Sequence, residues 1–130
     1  MNFLDYAYLC KQFIYMTNLI STTMEEKILS DFCNAWNTLN PDLILCHLSD
    51  DFEYDSQWTM ETLHTDEYSQ YLTEKFKTLQ ASEAKPQAEI VEDTICHTIP
   101  MLRICQGERP VYYRIKVKDG QVCKGDLCMF

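Results

Sequence analysis

The chain has 130 residues, 46% of them hydrophobic and 12% aromatic, enough for one domain with a real core, which excludes a disordered chain. Its formal charge of −9 excludes the basic surface that non-specific nucleic-acid binding needs to displace counterions, so no nucleic-acid partner is expected. The seven cysteines (10, 33, 46, 96, 105, 123 and 128) are odd in number and form no Cys-x-x-Cys pair, which predicts reduced thiols in a cytoplasmic protein.

Residues 1–23 read as an apolar helical extension. Phe3, Tyr6, Leu9, Phe13, Met16 and Ile20 recur at three- and four-residue steps. Asp5 precedes any base, and Lys11 and Gln12 interrupt the apolar run, so neither an export signal nor a membrane span is expected. Residues 24–130 read as a single domain. Thr23-Met-Glu-Glu26 fits a capping box and opens a helix with Ile28, Phe32, Ala35, Trp36 and Leu39 on one face. Asn40-Pro41 ends that helix and starts a short second one carrying Ile44, Leu45 and Leu48, after which Ser49-Asp50-Asp51 predicts a turn. Cys33, Cys46 and Cys105 lie among apolar neighbours and are expected as small core residues.

Phe52-Glu-Tyr-Asp-Ser56 alternates like a strand with one covered face. Thr65 and Asp66 offer caps to a third helix with Tyr68, Tyr71, Leu72, Phe76 and Leu79 at helical spacing, ending before Pro86. The period then drops to two, predicting strands near 87–97, 101–106, 110–118 and 121–129. Asp119-Gly120 supplies the positive-φ pair of a tight hairpin, whose strict register sets Val117 against Val122, Ile115 against Lys124, Tyr113 against Asp126 and Val111 against Cys128. Helices followed by strands give an α+β class, helices packed on an antiparallel sheet.

The element order, Phe32-x-x-x-Trp36, the Asn40-Pro-Asp42 break, Leu48-Ser-Asp-Asp51-Phe52 and the Tyr68–Phe76 helix leading into long strands together resemble the nuclear transport factor 2-like superfamily, including its SnoaL-like and ketosteroid isomerase-like branches. The resemblance implies a curved sheet wrapped around helices into a cone with a pocket, and a homodimer through the sheet. The isomerase branch carries a catalytic aspartate on the strand after the Asp-Asp turn and a tyrosine donor on the first helix. Those positions fall here on Ser56, or on Asp55 if the strand slips by one residue, and near Phe32, which has no hydroxyl; steroid isomerisation by that mechanism is not expected.

Asp55 is the sharpest candidate for chemistry: a carboxylate among Tyr54, Trp58 and Tyr68 would be desolvated, its pKa raised toward a useful range. A solvated strand carboxylate is the bland alternative. Asp126 and Tyr113 are the second candidate pair, because a carboxylate on an apolar face requires a partner; the bland account, favoured over catalysis, is a structural hydrogen-bonded pair or a sheet-edge position with water access. Trp36, Tyr54, Trp58, Tyr68 and Tyr71 are expected to line a pocket for an unknown small, flat, apolar molecule, unless core packing consumes them. His47 on the short helix suits the rim of a core, and His64 a loop. No metal or cofactor is expected, since the three histidines lack ligand spacing and no glycine-rich phosphate loop exists. Cys96 and His97 would point to opposite faces of a strand and so cannot act together. The competing reading is a dimerisation or protein-interaction module whose pocket is filled by its own side chains.

Overall fold

The computed structural model describes residues 24–57, 60–83, 85–93, 99–107 and 109–128; the N-terminal extension, Trp58, Cys96 and His97 lie outside the described residues. The first helix, α1 (24–38), buries Ile28, Leu29, Phe32, Ala35 and Trp36, the predicted stripe with Leu29 added. It closes with Leu39 in the left-handed region (φ 55°), and the Asn40 N–H donates to Ala35 O at 3.0 Å. This is the arrangement glycine usually serves; a leucine there costs about 1–2 kcal/mol. Burial of the Leu39 side chain, 5% exposed, offsets that cost.

Asn40 then turns the chain, its Oδ1 accepting the Asp42 N–H at 3.1 Å, and α2 (Asp42–Leu45) follows Pro41 with Ile44 buried. Leu48 is not on that helix. It opens β1 (Leu48–Ser56), and the expected turn at Ser49–Asp51 is an irregular stretch inside this strand, where the register against its neighbour shifts. A strand the sequence did not predict, β2 (Thr62–His64), precedes α3 (Thr65–Ala81). Glu67 accepts the His64 N–H at 3.4 Å to help close the N-terminus of α3, while Thr65 donates to Ser49 O at 2.9 Å and ties it to β1. Then come β3 (Gln87–Asp93), β4 (Ile99–Cys105), β5 (Pro110–Lys118) and β6 (Gln121–Cys128).

The six strands form one curved sheet in the order β2-β1-β6-β5-β4-β3. It is mixed, not wholly antiparallel: β1 runs parallel to β6 because the polypeptide re-enters beside β1 only after the β3–β6 meander. The helices cover the inner face, where Phe52, Tyr54, Leu102, Ile104, Val111, Tyr113, Val122 and Leu127 complete the core. Cys33 and Cys105 are only half-buried and Cys46 is exposed, so these thiols edge the core and do not fill it.

The predicted turn at Asp119-Gly120 is present, with Lys118 opposite Gln121, but of the four predicted pairs only Val117–Val122 holds. Beyond it Cys123 is an extra residue, a β-bulge, and the pairs become Lys116–Lys124, Ile115–Gly125, Arg114–Asp126, Tyr113–Leu127 and Tyr112–Cys128. The one-residue slip exchanges the faces of β6. It takes Lys124 and Asp126, whose burial would leave charges in the core, to the outer face and brings in Gly125 and Leu127.

Candidate functional site

The inner face carries a stack of aromatic rings. Tyr54 lies on Tyr68 with centroids 4.6 Å apart, Tyr54 and Tyr113 are 6.1 Å apart, and Tyr71 flanks both Tyr54 (6.0 Å) and Tyr68 (6.3 Å). Phe32 stands 5.8 Å from Tyr113, and Trp36 meets Phe76 edge-on at 4.9 Å. The Tyr68 and Tyr113 hydroxyls lie 3.4 Å apart with both side chains fully buried. Burial holds the phenols of Tyr54, Tyr68 and Tyr113 well above the ordinary tyrosine value, with repulsion among the neighbouring hydroxyls adding to it. The rings therefore remain neutral donors and acceptors. Tyr71 is half-exposed, and the Lys75 ammonium lies 5.7 Å over its ring and 5.9 Å over that of Trp36.

Asp55 is not among these rings. Phe52, Tyr54 and Ser56 alternate inward along β1, so Asp55 faces outward, its side chain 39% exposed. It accepts a hydrogen bond from Thr62 Oγ1 at 2.6 Å and pairs with Lys124 Nζ at 3.4 Å. The Thr62 bond, then Lys124, hold its carboxyl below the ordinary aspartate value, opposite in direction to the predicted rise. Asp126 is likewise corrected: it faces Arg114 across the hairpin, not Tyr113, and neighbours Asp55 across the parallel β1–β6 pair. Of the predicted residues, the fold thus gathers Tyr54, Tyr68, Tyr71 and Tyr113 inside, with Trp36 against Phe76, and sets Asp55 and Asp126 together outside. The inward position on β1 is held by Ser56, 7% exposed, which interacts with the Tyr54 hydroxyl.

The two aspartates line a cleft of about 480 Å³ at the lip of the sheet, where β1 and β6 end. Its apolar surface comes from Met60, Leu127 and Cys128; its polar surface from Asp55, Gln57, Glu61, Thr62, Arg114 and Asp126. Ser56 also lines it, which joins the cleft to the aromatic stack through Tyr54. Met60 is 89% exposed and adopts φ 56°, in a turn whose N–H donates to Ser56 O at 3.1 Å. Lys124 is held above the ordinary lysine value, first by the nearby charge of Asp126 and then by Asp55, with which it pairs. Reasoning from sequence missed Arg114 and Thr62, although Arg114 stands on the polar face of the predicted hairpin. Among the described residues no group of three or more histidine, cysteine or acidic side chains is placed to hold a metal, and no helix is long and apolar enough to cross a membrane. His47 lies at the core rim as expected but past the end of α2, not on it, its Nε2 2.8 Å from Asp31 Oδ2 and its ring 6.3 Å from Phe32.

Compared with protein-family models and with curated proteins, the sequence matches none. Solved structures do match. A SnoaL-like protein of unknown function from Burkholderia thailandensis superposes with a TM-score of 0.65 at 17% identity, over 83% of this chain and 95% of that one. A nuclear transport factor 2-like protein of unknown function from Burkholderia xenovorans gives 0.59 at 13% identity, over 83% and 84%. A de novo designed protein with a curved β-sheet gives 0.60 at 12% identity, over 83% and 86%. At these identities the likeness is one of fold. That one backbone serves natural and designed chains alike leaves activity to be argued from side chains.

Proposed function

From the nuclear transport factor 2-like fold that this chain adopts, we propose a binding module for a small molecule, seated in the cleft between the end of β1, the start of β2, the middle of β5 and the end of β6. The observation that carries this is the cleft's make-up. Its volume, about 480 Å³, falls in the range of ligand pockets, and Met60, Leu127 and Cys128 give it an apolar patch beside a larger set of polar and charged groups. The occupant is an apolar molecule with one or two polar groups, resting on Leu127 and Met60 and meeting Thr62, Arg114, Asp55 and Asp126.

Catalysis of the isomerase type has little support. The inward position on β1 offers the hydroxyl of Ser56, the first helix offers Phe32, and Asp55, held ionised at neutral pH, is a weak base. The filled interior favours a second reading, a dimerisation module pairing through the outer face of the sheet. The formal charge of −9 supports a partner other than nucleic acid, and the five described cysteines, all free, support a cytoplasmic setting.

A thermal-shift and ligand-observed NMR screen of small aromatic and alicyclic molecules on the wild type, Asp55→Asn and Thr62→Val tests the first reading. A ligand at a hundred times its Kd should stabilise the wild type by about 2.7 kcal/mol, and both variants should bind it more weakly. Absence of any hit, or hits indifferent to both substitutions, would overturn it. Sedimentation showing a dimer that Arg103→Glu dissociates would then favour the second.

A further inference from the structure

Among the described residues, the outer edge of β3 is closed at one end and open at the other. Glu26, Ser30, Cys33 and Asn37 stand on one stripe of α1, at steps of four, three and four residues. At the closed end Asn37 treats Ala88 as a neighbouring strand would: its Oδ1 accepts the Ala88 N–H at 2.8 Å and its Nδ2 donates to Ala88 O at 3.0 Å, with Cys33 Sγ donating to the same oxygen at 3.2 Å. Both backbone groups of Ala88 therefore face away from β4. In an antiparallel pair that orientation repeats every second residue, so the N–H and C=O of Ile90 and Glu92 face the edge as well, where no described residue bonds them. Here α1 and β3 diverge, leaving a groove of about 410 Å³ lined by Glu26, Lys27 and Ser30 on one side and Ile90, Glu92 and Pro100 on the other. Ile90, on its floor, is 42% exposed.

We propose that this groove takes an extended peptide segment of a partner protein, added as a seventh strand to β3 from Ile90 onward, with an apolar residue against Ile90 and basic residues against Glu92 and Glu26. Three observations select that occupant. Edge-facing groups two residues apart match the repeat of an extended chain and not the shape of a compact ligand. The groove carries Glu26 and Glu92 against Lys27 alone, which complements a basic segment. A second copy of β3 is disfavoured: antiparallel pairing through the edge-facing groups centres either on Ile90, which sets Glu92 of each copy against Ala88, already held by Asn37, or on Val91, which sets Ile90 of each copy opposite Glu92 of the other. Asn37 fixes where the added strand stops.

The test uses the full chain, ¹⁵N-labelled, with the peptide acetyl-Thr-Val-Thr-Lys-Thr-Lys-amide and its control in which glutamates replace the lysines. The lysine peptide should slow amide exchange at Ile90 and Glu92, and the control should bind more weakly. Glu92→Lys and Glu26→Lys should each weaken the lysine peptide at least about threefold and strengthen the control. Ile90→Pro should abolish the protection at Glu92 while keeping the β3–β4 ladder, since its lost N–H faces outward; should that variant fail to fold, the charge reversals carry the test. Equal binding of the two peptides, absence of protection at Ile90 and Glu92, or the same protection appearing with rising protein concentration and no peptide would overturn the proposal.

Discussion

Gly125→Ala probes the packing that fills the cone. Gly125 faces inward on β6 opposite Ile115, and a Cβ built there lies inside the van der Waals shell of the Tyr113 hydroxyl, 2.7 Å from Tyr113 Cζ and 3.4 Å from Phe52 Cζ. A carbon needs about 3.5–4.0 Å from such neighbours, so the ring must retreat by roughly 1 Å. It has nowhere to go: Tyr113 is fully buried, with Phe32, Tyr54 and Tyr68 around it. Overpacking of this kind costs about 1–3 kcal/mol, and a buried strand that cannot yield belongs at the upper end. At about 3–5 °C per kcal/mol for a chain of this size, the loss in Tm should reach about 10 °C. Urea unfolding of the wild type, Gly125→Ala, Tyr113→Phe and the double variant forms a cycle. Tyr113→Phe alone should cost about 1 kcal/mol, because it removes the hydrogen bond between the buried hydroxyls. The double variant should be less unstable than the two single costs predict, because the deleted hydroxyl is the atom met first. Gly125→Ala within about 0.5 kcal/mol of the wild type would refute the tight packing argued from these rings.

Three other outcomes are expected. Thr62→Val removes the bond that does most to depress the Asp55 carboxyl, so its titration, followed by carboxyl ¹³C shifts, should move up toward the ordinary aspartate range; an unmoved midpoint would refute that assignment. With the folded value depressed, the stability Asp55 contributes is present above the unfolded aspartate value and fades as pH falls through the folded one, and Thr62→Val should flatten that acid limb. Tyr54, Tyr68 and Tyr113 should stay silent in ultraviolet absorbance on raising the pH past 10 until the chain unfolds; since only the unfolded state releases these protons, stability should fall as pH rises above 10, and early ionisation of all eight tyrosines would contradict the burial. Asn37→Ala should cost about 1–2 kcal/mol and raise the exchange rate of the Ala88 amide, whose acceptor it deletes; unchanged exchange there would remove Asn37 as the clamp on β3.

Elements with a repeated period were legible in the sequence. Ile28, Phe32, Ala35, Trp36 and Leu39 fall on the buried stripe of α1 because helical spacing and burial select the same positions. On β5, alternation alone put Val111 and Tyr113 inside. The bulge at Cys123 defeated the same logic on β6, yet the strict register had required Lys124 and Asp126 on a core face, and that electrostatic conflict was itself the sign of an extra residue. Asp55 was misplaced although alternation sufficed to place it: with Tyr54 inside, its neighbour must point out. The three residues of β2 are too few to show a period; pairing with Glu53, Tyr54 and Asp55 makes them a strand. Arg114 and Thr62 became site residues only through contacts between strands distant in sequence, which no local pattern carries.

Ser56 is where the separation of interior from chemistry can be tested by construction. Ser56→Asp would place a carboxylate on the inward face of β1 beside the Tyr54 hydroxyl, at a position 7% exposed. Desolvation disfavours its charged form, so its folded-state pKa should rise above the unfolded aspartate value of about 3.9. A group raised in this way leaves stability intact below the unfolded value and withdraws it as pH rises through the folded one. The variant should therefore approach wild-type stability near pH 3 to 4 and lose about 1–3 kcal/mol relative to it at neutral pH, the cost of a buried group without adequate partners. Urea midpoints measured against pH give the result directly. A constant offset between the two chains at every pH would mean that residue 56 reaches solvent through the cleft. In that case the same carboxylate would stand ready as a base at the cleft floor, and the inner face would offer a site for proton transfer after all.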